Sequence, residues 1–182
     1  MDINKNVFVE KRELIHKGSI LDYYKDTMRF SNGNTQCWDY IDHKPVVSVL
    51  PVDEDGNIIC VRQYRHAIDK SSLEIPAGGI GDDNNPLTGA LRELREETGY
   101  ICDEKDAKHL IDIYTSVGYT NEMVYIYECK VSKKTNASLD DNEFVTVEKY
   151  SPMQLYEMII KGEIQDAKTV SAVMTYIAGM HQ

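Results

Sequence analysis

A chain of 182 residues, 42% of them hydrophobic, is long enough to bury one good core, so a single domain with an appended element is expected. Thirty acidic against twenty basic residues leave a net charge of −10, which excludes a broad basic surface for nucleic acid. There is no run of about 18 apolar residues to suggest a membrane span, no charged-then-apolar start, and no CxxC spacing among Cys37, Cys60, Cys102 and Cys129. The expectation is a cytoplasmic protein with reduced thiols.

Residues 1–44 read as an N-terminal antiparallel β section. Strands are predicted over 7–16 and 19–30, meeting at Lys17-Gly18, and a second turn at Asn32-Gly33 leads into a strand over 35–41. Three strands with little apolar bulk make a marginal sheet alone, so the section is expected to pack on the rest of the molecule or on a second copy. Trp38 and Tyr40 fall on one face, two apart, and could either stack on a base or fill an interface.

The second section, 45–182, opens with the apolar run 46–52, turns at Asp53-Glu54-Asp55-Gly56 and returns over 58–64. Arg62 and Arg65 carry fixed positive charge and forked donors that suit a phosphate or an adenine edge, or equally a surface ion pair. Glu74 lies two residues before Pro76, placed for a ribose or metal contact or for packing against Arg92.

From Gly78 the chain is rich in Gly and Asp and then becomes a helix. Asn85 reads as its N-cap, Pro86 as its first residue and Gly99 as its stop. Leu87, Ala90, Leu91 and Leu94 form one apolar stripe. Glu93 and Glu97, four apart, share a face, with Glu96 beside them and Arg92 four before Glu96. This is a poor arrangement for stability alone. Solvated, the Glu93–Glu97 repulsion costs roughly 0.2–0.5 kcal/mol; partly buried at ~5 Å and an effective dielectric of ~20, it reaches about 3 kcal/mol. Glu96 and Glu97 also sit in the last turn, where the helix dipole favours cations. Such a local conflict marks a candidate functional site that needs a cation, and all-oxygen ligands point to Mg²⁺ or Mn²⁺.

Beyond the helix, 109–116 reads as a strand ending in Ser116-Val117-Gly118, and 123–131 as another with Tyr125 and Tyr127 on one face. An acidic loop spans 138–144 before a strand over 145–149. Ser151-Pro152-Met153-Gln154 is a capping box for a helix ending at Gly162. Asp166 caps a last helix with a predicted buried stripe of Val170, Val173, Met174 and Ile177.

Gly78, five residues, Asn84, seven residues and then Arg92-Glu93-Leu94-Arg95-Glu96-Glu97-Thr98-Gly99-Tyr100 resemble the signature of the Nudix hydrolases. The one departure is Asn84, where the family has glutamate. The preceding RQYR and LEIPAG, and the later GEIQDAKT, resemble the ADP-ribose pyrophosphatase branch, although that branch carries Ser-Pro-Gly where this chain has Val117 between Ser116 and Gly118.

The resemblance implies an α/β fold, the Nudix α/β/α sandwich with a mixed sheet, plus the N-terminal antiparallel β section, commonly as a homodimer. It implies Mg²⁺-dependent hydrolysis of ADP-ribose to AMP and ribose 5-phosphate. By resemblance the metal ligands are Glu93, Glu96, Glu97 and the Ala77 carbonyl. Glu143 in the acidic loop, with Asp141 next in line, either adds a ligand or takes the proton from water, a role Glu97 plays in other branches. Arg92 then orients Glu96 or Glu97. A hydrolase of another nucleotide sugar, such as GDP-mannose or ADP-glucose, shares most of these motifs. A third reading is a non-catalytic ADP-ribose-sensing module.

Overall fold

The computed structural model describes residues 6–81, 85–135 and 144–180, so the expectations placed on Asn84, Asp141 and Glu143 lie outside the described residues. The chain divides into two compact units, residues 1–44 with 114–123, and residues 45–113 with 124–182.

In the first unit, β1 (Val7–Lys17), β2 (Leu21–Phe30) and β3 (Thr35–His43) form an antiparallel meander. Gly18 donates to the Leu21 carbonyl at 2.9 Å, and a Cβ on it would lie 2.4 Å from that oxygen, so the first turn needs glycine. Phe30 donates to the Asn34 carbonyl, which leaves a three-residue loop with Gly33 at φ +86°. β3 runs two residues past the predicted Ile41. Ile41 N–H donates to the Tyr119 carbonyl at 2.7 Å, and the Asn121 side chain accepts from His43 N–H at 2.8 Å, pairings remote in sequence. Asp26 is buried and takes both forks of Arg12 at 2.8 and 2.6 Å, and that guanidinium lies 4.0 Å from the Tyr40 ring centroid.

The second unit is built on β4 (Val46–Val52), apolar but for Ser48, with both its faces covered. Its partners are β5 (Ile58–Arg65), β7 (Ala77–Gly79) and β10 (Met123–Lys130); β6 (Lys70–Glu74) and β12 (Val145–Tyr150) pair with β5, and β9 (Ala107–Tyr114) with β10. β10 runs parallel to β4 and the β5, β6, β7 and β12 pairings are antiparallel, so the sheet is mixed. A short pair, β8 (Tyr100–Ile101) and β11 (Lys133–Lys134), stands apart.

Helices cover both faces. Val47, Val49 and Ile59 pack with Ala90 and Leu94 of α1 (Pro86–Thr98). On the other side Leu50, Cys60, Leu73 and Ile126 pack with Leu155 of α2 (Pro152–Ile160) and Ala172 and Val173 of α3 (Ala167–Met180). The result is an α/β/α sandwich.

The predicted stripes hold in the main, with Val170, Val173 and Ile177 of α3 and Ala90, Leu91 and Leu94 of α1 on the core, and each departs at one residue. In α3 the buried residues are Lys168, Thr169, Ala172 and Val173, while Met174 is 36% exposed. Two polar side chains claim the inner face because each finds partners there. In α1 Leu87 is only half-buried, whereas Gly89 is buried against the Ile80 carbonyl.

A Cβ on Gly89 would sit 2.5 Å from that backbone oxygen. Alanine in a helix interior normally gains about 1 kcal/mol over glycine, but overpacking against backbone costs about 1–3 kcal/mol. Gly89→Ala is therefore expected to lose about 1 kcal/mol net, read from the urea midpoint; a stabilised variant would refute the close packing.

Candidate active site

The site is assembled where α1 faces the β7 backbone. Asn85 caps the helix by accepting from Leu87 and Thr88 N–H, Pro86 occupies the first turn, and Gly99 ends it at φ +75° with its N–H on the Arg95 carbonyl. β7 is held in antiparallel register on β4, and the Pro76 carbonyl just before it accepts from Val49 N–H at 3.0 Å and the Ser48 hydroxyl at 2.8 Å. The loop is thus bolted to the central strand before any carboxylate reaches it.

Three glutamates meet this edge in different ways. Glu97 is buried at 4% exposure, and its carboxylate accepts from Ala77 N–H at 3.2 Å. Glu93 lies so close to Gly78 that a Cβ there would fall 2.1 Å from its carboxylate oxygen. Arg92 joins the set: it donates to Glu96 at 2.6 Å and to the Gly79 carbonyl at 2.7 Å, and lies 2.8 Å from Glu93. Burial would lower the Arg92 pKa, but Glu93 and Glu96 hold it above its usual value.

Among the described residues no three His, Cys, Asp or Glu side chains already converge as a ligand cluster. The donor set nevertheless fits a hard divalent cation. It consists of carboxylate oxygens, and the absent side chain of Gly78 makes the room in which Glu93 lies against the loop. Positive charge between Glu93 and Glu96 is supplied by the Arg92 guanidinium.

Arg62 and Arg65, three apart on β5, point to opposite faces. Arg62 forks onto Glu148 of β12 at 2.6 and 3.0 Å. Arg65 forks onto Glu74 at 2.8 and 2.7 Å. Glu74 therefore packs with Arg65, and also with Lys168, instead of Arg92. Burial would raise its pKa, but the hydrogen bond from Arg65 and the charge of Lys168 hold it down to about 2. Trp38 (44% exposed) and half-buried Tyr40 lie on β3 in the other unit.

Sequence reasoning passed over Lys168 and Glu148. A lysine in a first helical turn reads as solvated, and the one available signal was its i, i+4 relation to Ala172 on the buried face. Glu148 sits in a polar edge strand, where nothing local distinguishes it from its neighbours.

Two outcomes follow from this geometry. Gly78→Ala pushes only the end of the Glu93 side chain, so the melting temperature is expected to hold within a few degrees while turnover falls roughly tenfold or more; unchanged turnover would detach Glu93 from the chemistry. Glu74 has a folded pKa below its ordinary 4.5, so the native state binds fewer protons than the unfolded chain. Its stabilisation is present above that value and is lost as pH falls toward 2, on the order of 3 kcal/mol. Glu74→Gln should flatten the urea-measured stability over that acid range, and an unaltered profile would contradict the pairing.

Comparison with known proteins fits this arrangement. The chain is 37% identical over 165 residues to the methanol dehydrogenase activator of Bacillus methanolicus, covering 90% of this chain and 88% of that protein. It is 33% identical to the ADP-ribose pyrophosphatase of Bacillus subtilis (strain 168), covering 89% and 88%. A crystal structure of an ADP compounds hydrolase superimposes with a TM-score of 0.85 over 97% of this chain and 95% of its own, at 17% identity, a likeness of fold. Residues 42–173 match the NUDIX domain, a span that takes in the β4–β7 sheet, the glutamates of α1 and the start of α3, and the chain therefore belongs to the Nudix family.

Proposed function

We propose that the chain hydrolyses the diphosphate of ADP-ribose to AMP and ribose 5-phosphate with Mg²⁺. The observation that carries this is the pair Glu93 and Glu97, one turn apart and both laid against the Ala77–Gly79 backbone, one of them buried. The B. subtilis relative supports ADP-ribose as the substrate.

Glu93, Glu96 and Glu97 would hold the metal together with the Ala77 carbonyl, and Glu143 is the further ligand or base. Bound there, the ion would neutralise the diphosphate oxygens and acidify water. Arg65, its fork fixed by Glu74, presents positive charge to the diphosphate. Glu143, Asp141 or Glu97 takes the proton as a water oxygen bonds to phosphorus and the bridging P–O bond breaks. Arg92 sets the carboxylates of Glu93 and Glu96. Trp38 and Tyr40 offer rings for the base, and Arg62 a second cation. Residues 1–44 are the substrate and dimerisation section and 45–182 the catalytic domain, in a homodimer.

Four free thiols support a reducing compartment, the cytoplasm. Among the described residues no helix is long and apolar enough to cross a membrane.

Glu93→Gln and Glu97→Gln are each expected to lower ADP-ribose turnover by orders of magnitude with unchanged circular dichroism. The substrate is settled by a panel of ADP-ribose, ADP-glucose, GDP-mannose, dinucleoside polyphosphates and NADH with Mg²⁺ and product identification. Faster release from GDP-mannose would move the assignment to another nucleotide sugar. Binding of ADP-ribose without products would make the chain a sensor.

A further inference from the structure

Behind Arg65 lies a set of buried charges that the hydrolytic scheme leaves unused. Glu74 at the end of β6 accepts from Arg65 Nε and Nη2, and its Oε2 also accepts from the Lys168 ammonium. Lys168 is paired in turn with Asp166 at 3.0 Å. The Thr169 hydroxyl donates to Asp166 at 2.6 Å and accepts from Ile75 N–H at 2.9 Å. The first turn of α3 therefore grips Glu74 and Ile75, the residues leading into the Ala77–Gly79 edge.

The side chains of Glu74 and Lys168 are 4% and 11% exposed, whereas that of Arg65 is 42% exposed. For stability alone such a set is a poor choice, because apolar residues of similar volume commonly do as well. What it achieves is orientation. A guanidinium held by one carboxylate can pivot with it; here the carboxylate is itself pinned from the far side. Two of the guanidinium's nitrogens are taken by Glu74, and Nη1 has no partner among the described residues. The two cations and two anions cancel, so loss of Lys168 would leave one net negative charge beside the Arg65 fork.

We infer that Lys168 is a positioning residue: through Glu74 it fixes the Arg65 fork in the orientation that receives the substrate diphosphate. Its role rests on the reading of this site as one that binds a diphosphate, whichever sugar or nucleoside is attached. Lys168 touches no reacting atom; it acts through Glu74.

Lys168→Met tests this on whichever panel substrate the unaltered protein turns over fastest. KM is expected to rise about tenfold with kcat changed less than about threefold, and Lys168→Arg to restore most of the loss. The Kd for ADP, measured calorimetrically in EDTA, should rise in step; that arm reads the Arg65 site even if no panel compound is hydrolysed. If Lys168→Met does not fold, Glu74→Gln releases the same fork from the other side and should raise KM and the ADP Kd alike. A lowered melting temperature with KM and the ADP Kd unchanged would reduce Lys168 to a structural pair and overturn the inference. No hydrolysis of any panel compound, with ADP binding still dependent on Lys168, would sink the proposed function and leave the positioning role standing.

Discussion

A carboxylate laid against bare backbone is the contact from which the rest of the site follows. Glu93 occupies the room that any side chain on residue 78 would take, and Glu97 accepts the Ala77 N–H one turn later. Both contacts require the Ala77–Gly79 strand to hold a set distance from α1. That distance is set by its register on β4, by the Pro76 carbonyl and by Thr169 gripping Ile75. The central strand, the signature helix and the last helix therefore converge on the same few backbone atoms.

Electrostatics then explain why these charges tolerate one another. Glutamates crowded into the last turn of a helix oppose both each other and the macrodipole. Arg92 relieves the exposed part, bridging Glu93 and Glu96, while Ala77 N–H satisfies one oxygen of the buried Glu97. On β5 the same logic is repeated with Arg65, Glu74 and Lys168. Each of these acidic groups has a local partner that fixes its orientation.

The N-terminal unit solves a different problem. Its meander has few buried apolar residues of its own, and one of its buried side chains is Asp26, held by the Arg12 fork between tyrosine rings. Polar and aromatic contacts hold this sheet where the second unit relies on two apolar layers.

Much of the architecture could be read locally. Asn85, Pro86 and Gly99 bracket α1 because capping depends on neighbours in sequence, and the largely apolar run 46–52 with its turn at 53–56 marks the opening of the second section. Ser151 to Gln154 likewise declare the start of α2. The spacing of Arg92, Glu93, Glu96 and Glu97 pointed to the family. What periodicity could not decide was the choice of partner. Arg62 and Arg65 look alike in sequence, yet strand alternation and the neighbours β12 and β6 send one to Glu148 and the other to Glu74. Lys168 reads as a solvated lysine, and only the approach of β6 to the start of α3 makes it a buried counter-charge beside the apolar stripe of that helix. Chain order and local chemistry thus determined the elements and the acidic helix; long-range packing decided which charges meet, because the free energy of a buried ion depends on groups that sequence spacing does not bring together.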